Sequence, residues 1–207
     1  MAAMDAGADM LGLVFATSRR QISPEQAAII AAAVRARPHT QQVSIVGLFV
    51  NEAPDRMLAI ARECNLDAIQ LSGNELYEVA NCLPGIALLK AIRLEDAPNE
   101  AGWLHAPLPP NVRLLIDAHV PGSYGGSGVL ANWSRAAELA SHRSIMLAGG
   151  LTPENVAAAI RQVRPWGVDV SSGVETDGVK DVAKIQAFIA AARAGDQQLG
   201  HEQTQTP

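Results

Sequence analysis

Asp117 closes an apolar run, Val112-Arg113-Leu114-Leu115-Ile116-Asp117. A carboxylate at the end of a buried segment needs either a partner or a task, because an unpaired buried charge is costly. From position alone, Asp117 fits a general acid or base equally well as a capping or ion-paired residue. Two further apolar runs end in small residues: Ser144–Ala148 runs into Gly149-Gly150, and Gly167–Val170 runs into Ser171-Ser172-Gly173. Glycine lets backbone N–H groups approach an anion closely, and a short helix N-terminus adds a favourable dipole. A lone Gly-Gly would mean a tight turn. Two such loops after successive strands favour a phosphate site. Arg20 follows the first apolar run and fits either a bidentate partner for a substrate carboxylate or a solvated surface cation. Asp169 falls inside the last run, where position alone assigns it a structural role. Cys64 lies on the inward face of a helix and reads as core. Cys82 sits on the approach to a strand. His119, in the loop after Asp117, is a weaker candidate.

These residues matter only if the elements place them at one end of a sheet. The chain alternates short Val/Ile/Leu-rich runs with stretches of helical period. Strands are expected at Met10–Phe15, Val43–Val50, Ala68–Leu71, Leu88–Leu94, Val112–Asp117, Ser144–Ala148 and Gly167–Val170. Most are continuously apolar, as strands buried on both faces are. Ser23-Pro24-Glu25-Gln26 gives an N-cap, a proline at the first helical position and a capping-box partner. Further helices open at Pro54 and at Thr152-Pro153, and one runs from Lys180 to Arg193 with Gly195 as its stop. Helices near Glu75–Asn81 and Asn132–Ser141 are expected, and 95–110 is Pro-rich and ambiguous. Met1 to Gly7 reads as the end of a helix stopped by Gly7.

The strands recur every 20 to 33 residues, the period of a βα unit. No dinucleotide-type Gly-rich fingerprint follows the first strand, which weakens a doubly wound sheet and favours a (β/α)8 TIM barrel. Seven strands are counted where eight are needed, so strand 1 and the start of helix 1 are missing from these 207 residues. An upstream start, beyond Met1, is therefore expected. One barrel domain over 1–195 and a polar, disordered tail over 196–207 follow.

Composition bounds the partners. The 207 residues are 48% hydrophobic and 18% charged, enough for a sizeable core. Sixteen basic against twenty-one acidic side chains give a net charge of −5, which disfavours nucleic acid, since phosphate-backbone contacts need clustered Lys and Arg. The longest strictly apolar run, Ala27–Val34, is too short to span a membrane. Two cysteines make no disulfide framework and lack metal-ligand spacing. No secretory signal is evident. A cytoplasmic protein without a metal, monomeric or homodimeric, is expected.

Taken in order, the motifs resemble the phosphoribosylanthranilate isomerase family over nearly the whole chain. Ser18-Arg19-Arg20 is similar to the family's Ser-Pro-Arg. Val46-Gly47-Leu48-Phe49-Val50-Asn51 matches its third strand, and Gln70-Leu71-Ser72-Gly73-Asn74-Glu75 resembles Gln-Leu-His-Gly-Asp-Glu. Leu115-Ile116-Asp117, Gly125-Gly126-Ser127-Gly128, Leu147–Leu151 and Asp169–Glu175 complete the set. The resemblance implies a cofactor-free Amadori rearrangement of N-(5-phosphoribosyl)anthranilate in tryptophan biosynthesis. It implies Asp117 as general acid, Arg20, Gln70 and Asp169 as substrate-binding residues, and Gly149, Gly150, Ser172 and Gly173 as the phosphate site. The family's general-base cysteine, in Lys-x-Cys-Gly, has no counterpart here; Ser72 stands for the usual His and Arg19 for Pro. The alternatives are another phosphosugar-isomerase barrel and a non-catalytic remnant that binds a phosphorylated ligand.

Overall fold

The computed structural model describes residues 1–37, 43–117 and 127–204, with the backbone alone for 127–132 and 199–204. Helices α1 to α7 are Ala2–Asp5, Pro24–Arg35, Pro54–Glu63, Pro98–His105, Ser127–Ala140, Val156–Val163 and Val182–Thr204. Strands β1 to β7 are Met10–Val14, Ser44–Phe49, Ala68–Leu71, Ala87–Ile92, Val112–Asp117, Ile145–Ala148 and Gly167–Val168. A small antiparallel hairpin, β8 (Glu175–Thr176) with β9 (Val179–Lys180), precedes α7.

All seven expected strands form, and they lie in one sheet in the unbroken order β1 to β7. Doubly wound sheets reverse their order at a switch point. The sequential order with intervening helices is that of the (β/α)8 class. From β1 to β4 the pairing is parallel, with Met10 beside Ser44, Val46 beside Ala68, and Ala68 beside Ala87, and β6 pairs parallel with β7. The strands bury what their composition demanded: Ile45, Ile69, Leu71, Leu114, Ile116, Ile145 and Leu147 are fully enclosed.

The chain divides into two compact units, one of Ala8–Leu114 with Met1 and one of Ala2–Gly7 with Leu115–Pro207. In the first unit, α2 starts as expected: Ser23 Oγ accepts from Gln26 N, and Gln26 Oε1 accepts from Ser23 N. Phe15 stacks on Phe49 with centroids 5.0 Å apart. Gly47 leaves room for this stack, since a Cβ there would lie 3.0 Å from Phe49 Cε2 and 3.1 Å from Phe15 Cε2. The ambiguous 95–110 stretch resolves into α4, whose Trp103 is fully buried. The helix expected near Glu75–Asn81 is a 3-10 helix, Tyr77–Cys82.

In the second unit, Gly7 ends α1 at φ +93, and its carbonyl accepts from Arg193 Nη2 of α7. Several boundaries differ from expectation, among them the following two. Thr152–Asn155 form a turn, and the helix proper begins at Val156. Gly195 does not stop α7, which continues to Thr204 through the first residues of the expected tail. The reason is packing: a Cβ on Gly195 would come within 3.1 Å of Ala157 Cα, so this glycine is a point of close helix approach. Among the described residues, no helix is long and apolar enough to cross a membrane.

Candidate active site

In barrels of this class the chemistry lies at the C-terminal ends of the strands, so each unit is considered from there. In the second unit, β5 ends at Asp117 as expected. β7 ends at Val168, two residues earlier than expected. Asp169 is therefore placed just past the strand end rather than inside it. Its N–H donates to Leu147 O, 2.8 Å away, which aligns it with the end of β6. Asp169 keeps some solvent exposure, yet desolvation by surrounding protein pushes its carboxyl above the ordinary aspartate range. The Lys180 ammonium opposes this rise and the Asp117 carboxylate adds to it. Two carboxylates that sense one another beside a cation can divide acid and base roles.

The two glycine loops of this unit meet. Gly149 and Gly150 both hold positive φ, +87 and +64, a conformation that glycine adopts at no steric cost. Asn155 closes the turn that follows: its Nδ2 donates to Gly150 O at 2.9 Å and its Oδ1 accepts from Thr152 N at 2.8 Å. The Ser172-Gly173 turn is a one-turn 3-10 helix seated on this segment. A Cβ on Gly173 would lie 1.8 Å from Leu151 O. Glycine is needed here for a backbone approach that no side chain permits. The arrangement can present clustered N–H groups to an anion.

Lys180 was not among the residues anticipated for this site. Its Nζ donates to Ser171 O at 2.7 Å and pairs with Glu175 at 3.1 Å. Lys184 Nζ adds a bond to Glu175 O at 2.7 Å. The β8–β9 hairpin thereby braces the Ser171–Gly173 turn. The signal was present in the sequence as two lysines closely following a Ser/Gly loop. His119, Gly125 and Gly126 lie outside the described residues.

In the first unit, the loop after β1 is a fixed turn. Gln21 N donates to Ser18 O, Ser18 Oγ accepts from Arg20 N at 3.2 Å, and Gln21 Nε2 donates to Phe15 O at 2.9 Å. Arg20 is half-buried on this turn. Gln70, near the end of β3, donates through Nε2 to Ser72 Oγ at 3.0 Å. Beyond it lies a pair that sequence reading missed: Lys90, fully buried in β4, and Glu75, whose side chain is 5% exposed, meet at 2.7 Å. Desolvation alone would raise the Glu75 carboxyl. Hydrogen bonds from Lys90 and Asn51 N outweigh it and hold the group below its ordinary range. The sequence signal for it is Lys90 itself, a lone charge in the apolar run Ala87–Ile92.

Neither cysteine is at a strand's C-terminal end. Cys64 is buried before β3, its thiol donates to Pro24 O at 3.3 Å, and burial pushes its pKa up. Cys82 is exposed at the end of the 3-10 helix that precedes β4. Among the described residues no group of three His, Cys, Asp or Glu could hold a metal ion. A cavity of about 450 Å³ between the β1–α2 loop and α3, lined in part by Phe15, Gln21, Ser23, Glu52 and Arg56, contains none of the expected site residues.

Residues 1–191 match the family model described as N-(5'phosphoribosyl)anthranilate (PRA) isomerase. An N-(5'-phosphoribosyl)anthranilate isomerase of Roseiflexus sp. (strain RS-1) is 59% identical over 199 residues, 95% of this chain and 93% of the relative. The solved structure of the phosphoribosyl anthranilate isomerase from Thermotoga maritima is similar with a TM-score of 0.79 at 38% identity, covering 93% of this chain and 92% of that one. A second solved structure, of such an isomerase in complex with reduced 1-(o-carboxyphenylamino)-1-deoxyribulose 5-phosphate, is similar with a TM-score of 0.76 at 35% identity, covering 93% and 91%.

Proposed function

Because this chain belongs to the N-(5'-phosphoribosyl)anthranilate isomerase family, we propose that it rearranges N-(5-phosphoribosyl)anthranilate to 1-(2-carboxyphenylamino)-1-deoxyribulose 5-phosphate in tryptophan biosynthesis. The observation that carries the reading is the identity of 59% across 95% of the chain with a relative of that name. The strand-end chemistry supports it independently: a carboxylate pair and a two-loop glycine cradle occur together in one unit.

In this reading the substrate phosphate sits on the Gly149-Gly150 and Ser172-Gly173 turns. Their positive-φ and crowded backbone excludes side chains and leaves N–H groups as the donors. Arg20 takes the anthranilate carboxylate, and Gln70 contributes a polar contact. Asp117 delivers a proton to the ribose ring oxygen. The C1–O bond breaks as the anilino nitrogen's lone pair forms the imine. Loss of the C2 proton to a base gives the enolamine, and its tautomerisation gives the ketone. Asp169 stands beside Asp117 as a second carboxylate with a raised proton affinity, suited to a hydrogen bond with the substrate. A substrate of the cytoplasmic amino-acid pathways sets the compartment.

The step at C2 needs a base, and a positioned general base contributes about 10²–10⁴ in rate; residues 1–207 contain no Lys-x-Cys-Gly. The test is chromatographic appearance of the ketose product from N-(5-phosphoribosyl)anthranilate, with complementation of an isomerase-deficient tryptophan auxotroph. Product formation slowed about 10²–10⁴-fold by Asp117→Asn is expected. No product from soluble, folded protein would overturn the reading. One alternative is a non-catalytic protein that binds a phosphorylated ligand. Calorimetric binding of the ketose product without any turnover would establish that alternative.

A further inference from the structure

Lys90 is the only charged residue in β4 and is fully buried. A buried ion pair often stabilises no more than well-packed apolar residues would, so the reason for this one lies in what its atoms hold. The hydrogen bonds of the ammonium go to the last residue of β3 and to the segment that follows it. Nζ donates to Gly73 O at 2.7 Å, to Glu75 Oε2 at 2.7 Å and, at 3.5 Å, to Leu71 O. The two carbonyls flank Ser72. The Glu75 carboxylate completes the frame, accepting from Asn51 N at 2.8 Å and from Gly73 N at 3.0 Å. Asn51, at φ +52, accepts in turn from Asn74 N through Oδ1 at 2.7 Å. Trp103 donates its indole N–H to Glu75 O at 2.8 Å and lies with its ring centroid 6.0 Å from the ammonium. A Cβ on Gly73 would fall 2.4 Å from Asn51 Oδ1, so the loops after β2 and β3 are already in closest approach.

We propose that Lys90 and Glu75 are positioning residues that fix Ser72, and through its hydroxyl the side chain of Gln70, in the orientation that meets the substrate. The inference rests on the functional reading above for the substrate contact, and on the bonds just given for the positioning. The pair touches no substrate. It sets the backbone on both sides of Ser72, and Ser72 Oγ sets the Gln70 amide at 3.0 Å.

The test uses the full chain and the double variant Lys90→Met/Glu75→Gln. This variant removes both charges but keeps an acceptor for Asn51 N and Gly73 N. It is expected to raise KM for N-(5-phosphoribosyl)anthranilate about tenfold with a much smaller change in kcat, as loss of substrate binding does. Amide hydrogen exchange over 71–75 is expected to quicken about tenfold, with α3 unchanged. In a Gln70→Ala background the same double change is expected to add less than about twofold to KM, because residues acting through one another are not additive. Additive effects, unchanged KM or unchanged exchange would each overturn the proposal. Should the double variant not fold, Trp103→Phe, which removes the indole donor from Glu75 O and keeps an aromatic ring in its place, is used instead with an expected rise of about threefold in KM, and no rise would overturn the proposal. Wild-type protein that folds without turnover would overturn the functional reading instead. The exchange over 71–75 then decides the positioning by itself, faster exchange upholding it and unchanged exchange overturning it.

Discussion

Asp117 and Asp169 differ in how much of their role the sequence discloses. Asp117 ends an apolar run and draws attention on cost alone. Asp169 looked like part of a strand, and only the early end of β7 at Val168 makes it a strand-end carboxylate beside Asp117. Two predictions belong here. Asp117→Asn is expected to lower kcat by about 10²–10⁴ with an unchanged thermal midpoint, read by steady-state kinetics and calorimetry. The folded protein raises the Asp169 pKa. Its contribution to stability is therefore complete below the unfolded value and is lost as pH rises through the folded one. Asp169→Asn is expected to be more stable than wild type at pH 8, with the difference vanishing near pH 3 and activity reduced at both. A thermal-midpoint series across pH checks the sign. Gly173 belongs at this scale too: Gly173→Ala drives a Cβ to 1.8 Å from Leu151 O. An expected loss of about 1–3 kcal/mol and weaker inorganic phosphate binding are measurable by denaturant titration and calorimetry.

At the scale of elements, local signals were sufficient where the energetics are local. Ser23 and Gln26 form the capping box that their spacing announced. Ser23→Ala is expected to cost about 1 kcal/mol in chemical denaturation with kcat untouched. The strands were legible because continuous apolar runs have few alternatives to burial on both faces. Gly195 shows the opposite case. A glycine after a helical run reads as a stop, but here it sits where α7 meets Ala157 of α6, and close packing overrides the local preference. The 95–110 segment could not be assigned from its prolines. Burial of Trp103 and the Glu100 carboxylate, which accepts from Arg93 N and Glu95 N, fixes α4 there.

For the molecule as a whole, the uninterrupted strand order β1 to β7 decides the architecture between two classes that share the same βα rhythm. The buried Glu75–Lys90 pair gives that architecture an acid limit. Glu75 is held below its ordinary pKa, so its stabilisation is present above the unfolded value and lost as pH falls through the folded one. Glu75→Gln leaves Lys90 buried without its counter-charge. It is expected to lose about 3–5 kcal/mol near neutral pH, a deficit that shrinks as wild-type Glu75 itself becomes protonated. Urea unfolding of both proteins between pH 3 and 7 measures it.

The sequence by itself determined the alternation of strands and helices, the strand-end placement of Asp117, Gly149-Gly150 and Ser171–Gly173, and the motif order that marks the family. Each depends on residues near one another along the chain, or on side chains whose burial has one sensible outcome. Tertiary structure alone decided that Gly173 seats on Leu151, that Lys180 braces the Ser171 carbonyl, that Asp169 senses Asp117, and that Lys90 finds Glu75 across two strands. These contacts join residues 9 to 52 positions apart, and what fixes them is the spatial convergence of strand ends, a property of the folded sheet and of no single segment.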